Sequence, residues 1–166
     1  SDLAEAWLMA LNNCRGKYVV IATTSDYICS HTWAERAINV LESDPELSLV
    51  WGSGIHISEN GWFEGIYAYR FLRAHPPVKK EYLAYWMHDD YIPELGSVVS
   101  AKVYRECIAD FLDGKVDVTF FTVHFRYEFT ARGFLQKYIP DLAFAGRTHP
   151  NQYRDIWSEK EFELNQ

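Results

Sequence analysis

Asp26 is the side chain of this chain best placed to do chemistry. It closes the stretch Gly16-Lys17-Tyr18-Val19-Val20-Ile21-Ala22-Thr23-Thr24-Ser25-Asp26, in which an apolar run ends at a small polar turn. Val19, Val20, Ile21 and Ala22 are too few for a helix and too uniformly apolar for a strand with one wet face. They predict a central strand covered on both sides. In open α/β sheets ligands sit just past the carboxyl ends of such strands, so a carboxylate at that point meets a metal or a phosphate-bearing ligand. The competing reading is an acid that caps a turn or a helix.

Other residues carry chemical potential of different kinds. His88-Asp89-Asp90 is the one dense acid–histidine cluster. Its members are adjacent in sequence and cannot all face one ion from a strand, which favours a polar loop. Asp117 precedes a long helical stretch and has the chemistry of an N-cap. His124 stands among Phe residues, where packing explains a lone histidine. Arg147-Thr148-His149 sets a fixed cation two residues from an imidazole. Trp62, Tyr67, Tyr69, Tyr85 and Trp86 offer flat apolar rings, which suit sugar faces and equally suit a core.

These groups need a scaffold, and the composition provides for one. The chain has 166 residues, enough for one domain that buries roughly 68–70% of its unfolded surface. Its net charge of −7 argues against a nucleic-acid partner, which would need a basic face. No apolar run approaches the roughly 18 residues needed to span a bilayer, and no signal-peptide pattern opens the chain. Cys14, Cys29 and Cys107 are odd in number and widely spaced, so a reducing, cytoplasmic setting is the simpler expectation. Aromatic residues make up 16% of the sequence, and core packing is the first explanation for any one of them.

The periodicities predict alternating helices and strands. Asp2 caps a first helix with Leu3, Trp7, Ala10 and Leu11 turned inward, and Gly16 stops it. A strand Tyr18–Ala22 and a polar turn from Thr23 to Ser30 follow. Thr32-Trp33-Ala34-Glu35 reads as a capping box for a helix that buries Ala34, Ala37, Ile38 and Leu41 and ends at Pro45. Leu47–Ile57 is a strand closed by Glu59-Asn60-Gly61. Trp62–Tyr69 reads as a strand or a packed loop, and Lys79–Met87 as a short helix beyond His75-Pro76-Pro77. A strand at Gly96–Ser100, a helix over Ala101–Phe111 and a turn at Leu112-Asp113-Gly114 come next. A helix from Val118 to Arg132 stopped by Gly133 and a strand near Phe134–Ile139 follow them. This alternation predicts an α/β fold with a mixed, mostly parallel sheet flanked by helices. Residues 1–155 form the domain and 156–166 an acidic tail. The chain opens in a helix that would follow an earlier strand, so the sheet is expected to lack its first, N-terminal strands and to leave an edge that invites self-association.

The order of these pieces resembles the inverting, nucleotide-sugar-dependent glycosyltransferases of family 2, which have the GT-A fold. That family has a helix ending in an Asn-containing stretch, Gly-x-Tyr, a hydrophobic strand and an acidic metal turn. A helix then leads to Leu-x-x-x-Pro and a further strand. The matching residues are Ala10-Leu11-Asn12-Asn13-Cys14-Arg15-Gly16-Lys17-Tyr18, Thr23-Thr24-Ser25-Asp26 and Leu41-Glu42-Ser43-Asp44-Pro45. Gly96-Ser97-Val98-Val99 with Tyr104 is similar to the family's acceptor-side strand and helix. Phe111-Leu112-Asp113 is similar to its Gly-Phe-Asp turn, with Asp110 in place of the glycine. Arg132-Gly133, Ile139-Pro140 and Arg147-x-His149 match its closing pattern. The series covers about residues 3 to 153 in the right order, as the carboxyl-terminal part of the catalytic domain without its nucleotide-binding strands.

The resemblance implies transfer of a sugar from a nucleotide diphosphate sugar to a glycan or glycoconjugate acceptor, with Mg or Mn at the diphosphate. A cation held by carboxylates would neutralise the leaving group, and a second carboxylate would take the proton of the acceptor hydroxyl. By this resemblance Thr24, Ser25, Asp26 and Arg147 contact the donor diphosphate. Asp26 and His149 hold the metal, Asp117 is the base, and Trp62, Tyr85, Trp86, Asp89 and Asp90 line the acceptor side. The setting is cytoplasmic, at the inner membrane face through other parts of the full protein. The sequence also departs from the family. Thr23 and Ser25 are neutral where acids are expected, and Phe121-Thr122 occupies the usual place of the base. The alternative is therefore a transferase-like domain that binds carbohydrate or a protein without turnover.

Overall fold

Alternating apolar segments assemble a mixed sheet flanked by helices in a computed structural model that describes residues 2–22, 26–66, 96–113, 115 and 121–148. The elements run α1 (Asp2–Asn13), β1 (Tyr18–Val20), β2 (Asp26–Ile28), α2 (Trp33–Ser43), β3 (Leu47–Ile57) and β4 (Phe63–Ile66). They continue through β5 (Val98–Ser100), α3 (Ala101–Cys107), α4 (Ala109–Leu112), α5 (Phe121–Ala131) and β6 (Leu135–Arg147). The strands form one sheet in the order β1-β5-β3-β6-β2, and β4 pairs with β3.

β3 is the spine. β6 runs parallel to it from Leu47↔Leu135 to Ile57↔Arg147. Along its other edge lie β5, antiparallel at Leu49 and Val50, and β4, antiparallel from Ile55 to Ile57. β1 pairs antiparallel with β5 and β2 antiparallel with β6. The sheet is thus mixed, but the expectation that it is mostly parallel is corrected, since one of these pairings is parallel and the rest are antiparallel. β1, β3 and β6 do share one direction, as strand–helix alternation requires. The antiparallel β5 is inserted between β1 and β3, which breaks the parallel run.

Each face of the sheet is covered by its own helices. On β3, Leu49 and Trp51 enter a cluster with Leu11 of α1, Val103, Tyr104 and Cys107 of α3, Phe111 of α4, and Phe125 and Phe129 of α5. Val50 faces the other way and packs with Trp33, Ala37 and Leu41 of α2, and with Val98, Ala143 and Phe144. This period-two split is what a strand buried on both faces requires. Part of the aromatic excess goes into this core. Ring centroids lie 6.1 Å apart for Trp7–Tyr104, 5.1 Å for Tyr104–Phe125, 5.9 Å for Phe125–Phe129 and 5.6 Å for Phe129–Phe134. All four pairs are tilted, as the ring quadrupole favours.

Polar ties fix the helices to the sheet. Arg105 on α3 donates from Nη2 to the Leu11 and Cys14 carbonyls at 2.8 and 3.1 Å, satisfying acceptors that the end of α1 leaves open. Trp33, fully buried at the start of α2, donates its Nε1 proton to the Gly96 carbonyl at 2.6 Å. The Gly96 amide in turn donates to the Ile21 carbonyl at 2.9 Å. Gly96 has φ +70°, and a Cβ there would meet Phe144 Cβ at 2.8 Å, so both backbone and space demand glycine. Gly54 serves the same ring, because a Cβ there would meet the Phe144 ring at its far edge.

Several expectations change. The first helix buries Leu11, but Ala10 faces solvent. The Tyr18–Ala22 run was expected at the centre of the sheet. It instead gives the short β1 at one end of the described strand order, with Val20 40% exposed. The Thr32 side chain makes no cap hydrogen bond. It pairs with Ser30 Oγ at 3.1 Å instead, and Trp33, absent from the expected inward face, is as fully buried as Ala37. The Ala101–Phe111 helix divides at Ile108 into α3 and α4. The strand expected at Phe134–Ile139 runs on to Arg147, since a bulge admits Pro140. Trp51 pairs with Tyr138 and Ser53 with Leu142, leaving the proline between ladder positions. β3, its closing turn, and the stop of α5 at Gly133 (φ +73°) agree with expectation. The segments read at Tyr67–Met87 lie outside the described residues, as does the acidic tail.

Candidate functional site

β1, β3 and β6 point their carboxyl ends to the same side of the sheet, and Asp26 lies there. The polar turn expected from Thr23 to Ser30 is interrupted by β2, because Tyr27 and Ile28 are good strand formers and find partners on β6. Asp26 pairs with Gly146, Tyr27 with Ala145 and Ile28 with Phe144. Asp26 is half-buried. Thr24 and Ser25 lie outside the described residues.

The same strand end holds Arg147. Its guanidinium carbon stands 4.9 Å from the centroid of the Tyr27 ring, a cation–π contact of about 0.5–1 kcal/mol at an exposed position. Thr148 extends the parallel ladder by one step, its amide donating to the Ile57 carbonyl at 2.8 Å. Asp26 and Arg147, remote in sequence, are therefore carried on paired strands. Strand alternation sets them on opposite faces: Asp26 shares a face with its partner Gly146, and Arg147, one residue on, shares the face of Tyr27.

Sequence reasoning missed His56. It pairs with Gly146 in the parallel ladder and with Gly65 of β4 on its other side. Asp26, Gly146, His56 and Gly65 thus form one row across four strands, with the two side-chain functions separated by a glycine. A Cβ at Gly65 would meet nothing within 4 Å, so the row is open beside His56. Nothing in the local sequence Gly54-Ile55-His56-Ile57 marks this histidine, since only the register brings it level with Asp26.

Of the residues expected to line an acceptor, Trp62 is 75% exposed at the tip of the β3–β4 hairpin, beside Phe63 at 62% and Ile66 at 64%. This exposure sets Trp62 apart from the core aromatics. Tyr85, Trp86, Asp89 and Asp90 fall outside the described residues, as do Asp117 and His149. Phe121 and Thr122 lie in the first turn of α5.

For a divalent cation, the donor chemistry fits in part. Among the described residues no group of three or more His, Cys, Asp or Glu side chains is assembled for a metal. Asp26 supplies one hard carboxylate, which suits Mg or Mn when substrate phosphates and water complete the shell. The Cys107 thiol is pushed up to about 12 by burial. Lys115 holds the Asp110 carboxyl below its usual range through a hydrogen bond at 3.0 Å. No helix among the described residues is long and apolar enough to cross a membrane.

No family model matches the sequence, and no curated protein matches it significantly.

Proposed function

We propose that this chain is the carboxyl-terminal part of a family 2-like glycosyltransferase domain of GT-A type, acting on a nucleotide diphosphate sugar and a glycan or glycoconjugate acceptor at the cytoplasmic side of a membrane. The observation that carries the reading is the β2–β6 pairing. It joins the Asp26 segment to the Gly146-Arg147 segment, the two stretches that the resemblance independently assigns to the donor diphosphate. The shared direction of β1, β3 and β6 supports it further, because ligands in α/β folds collect at such carboxyl ends.

In this reading Asp26, with His149, holds Mg or Mn against the diphosphate, and the bound cation neutralises charge on the leaving group. Arg147, on the opposite face of the strand pair from Asp26, adds a fixed positive charge to phosphate oxygens that reach round the strand end. Asp117 accepts the proton of the attacking hydroxyl, and Trp62 stacks on the acceptor sugar from the hairpin tip. The test is calorimetric titration with UDP-sugars, with and without Mn, of the protein with the upstream half that this reading calls for restored. Binding that requires the metal and weakens about tenfold or more in Asp26→Asn is expected, on the scale of losing a group that orients a metal site. Metal-independent binding, or no effect of the substitution, refutes the reading.

The second reading, binding without turnover, is favoured by the neutral Thr23 and Ser25 and by Phe121-Thr122 at the usual place of the base. Glycan binding that persists in Asp26→Asn, with no release of UDP from any UDP-sugar, would select it.

A further inference from the structure

The row Asp26–Gly146–His56–Gly65 is the one place among the described residues where strand register alone brings a carboxylate and an imidazole to the same face at the ligand end of the sheet. Neighbouring strands lie about 4.8 Å apart, so the Asp26 and His56 backbones stand about 10 Å apart across the row. Gly146 puts no side chain between them. A carboxylate reaching from one side and a longer imidazole from the other can close that span around one ion. Gly65 leaves the far side of His56 open, although its place beside the β3–β4 register shift already accounts for a glycine there. Both side chains are half-buried, which keeps them accessible while weakening competition from bulk water.

We propose that Asp26 and His56 share a divalent transition-metal ion above Gly146, with His56 as a ligand supplied by β3. The inference rests on the reading of Asp26 as the metal-side residue with His149, and adds to them a further protein ligand and a metal preference. Imidazole nitrogen beside carboxylate oxygen favours Mn and Co over Mg, which prefers oxygen ligands and gives up its water reluctantly. The rest of the coordination shell belongs to water and to phosphate oxygens.

The test uses Mn alone, without any nucleotide. Calorimetry on the whole chain should show saturable Mn binding, weakened about tenfold or more by Asp26→Asn and by His56→Gln. His56→Asp should keep Mn binding within a few-fold and improve Mg binding relative to Mn, which a packing role for His56 would not produce. A measurement without substitutions accompanies these. In histidine-labelled protein, substoichiometric Mn should broaden the His56 imidazole resonances before those of His31 and His124. Absence of saturable Mn binding, unchanged binding in His56→Gln, or earlier broadening at His31 or His124 overturns the proposal. The two readings fail separately. Metal-dependent UDP-sugar binding that is indifferent to His56→Gln overturns this inference and leaves the transferase. Mn binding that needs both residues, with no UDP-sugar binding once the upstream half is restored, supports the site and refutes the transferase.

Discussion

Phe144 and Gly54 form a coupled pair whose energetics follow from the structure. The Phe144 ring is 1% exposed and lies over Gly54, which its own residue pairs with in the β3–β6 ladder. A methyl group on Gly54 would stand 2.5 Å from Cε1 and 2.9 Å from Cε2, and closest to Cζ. Carbon atoms rest at about 3.5–4.0 Å, so Gly54→Ala must displace the ring by roughly an ångström. Overpacking of that kind costs about 1–3 kcal/mol. Phe144→Leu removes three carbons, and at about 0.8 kcal/mol for each buried carbon it costs roughly 2 kcal/mol. Those three carbons are Cε1, Cε2 and Cζ, the atoms that the new methyl would strike. In the double variant the methyl occupies space that the ring has left, so the loss should be close to that of Phe144→Leu alone. A double-mutant cycle by urea denaturation should therefore return a favourable coupling of about 1–3 kcal/mol, the whole cost of Gly54→Ala. Additive losses within about 0.5 kcal/mol, or a Gly54→Ala variant as stable as the parent, would refute the account of how β3 and β6 pack beneath the site.

Two further outcomes are expected. Trp33→Phe keeps a ring in the core but leaves the Gly96 carbonyl without the indole proton that reaches it at 2.6 Å. A loss of about 1–3 kcal/mol is expected for a buried acceptor left unsatisfied, read by thermal or urea unfolding. In a thiol titration of the native protein at pH 8, Cys14 should react first. Cys29 should follow more slowly because partial burial raises its pKa. Cys107, buried and held protonated with its pKa near 12, should react only after denaturation, and rapid native labelling of Cys107 would contradict the packing of α3 on α5.

The fold was readable where a local pattern carries its own cause. Leu47–Ile57 reads as a strand because apolar residues fill both of its faces, and α2 reads as a helix because Ala37 and Leu41 recur at helical spacing. Gly133 stops α5 because only glycine takes its positive φ cheaply. Sequence failed where the cause is a partner far along the chain. The Val19-Val20 run has the composition of a central strand, yet whether β5 or another strand flanks it is a matter of topology. Pro140 looks like a terminator until the bulge opposite Gly52 gives it a place without a ladder proton. The site shows the same division. Asp26 could be singled out from its position after an apolar run and Arg147 from its motif. His56 carries no local signal, because its significance is its alignment with Asp26 across a glycine on a third strand.

The two-sided use of β6 has a consequence for how the protein comes into being. Its residues Phe144 to Gly146 are held at once by β3 and by β2, so the strand end that carries Asp26 gains its partner only after nearly all of the described chain exists. Pairings this remote in sequence must meet the entropy of closing a long loop before any contact rewards it. On the ribosome, α2 and the β3–β4 hairpin can form early, while Asp26 waits for residue 146 to emerge. Any ligand that grips the β2–β6 end would therefore act late, as a clasp on an otherwise folded sheet, and would slow its unfolding more than it speeds its folding.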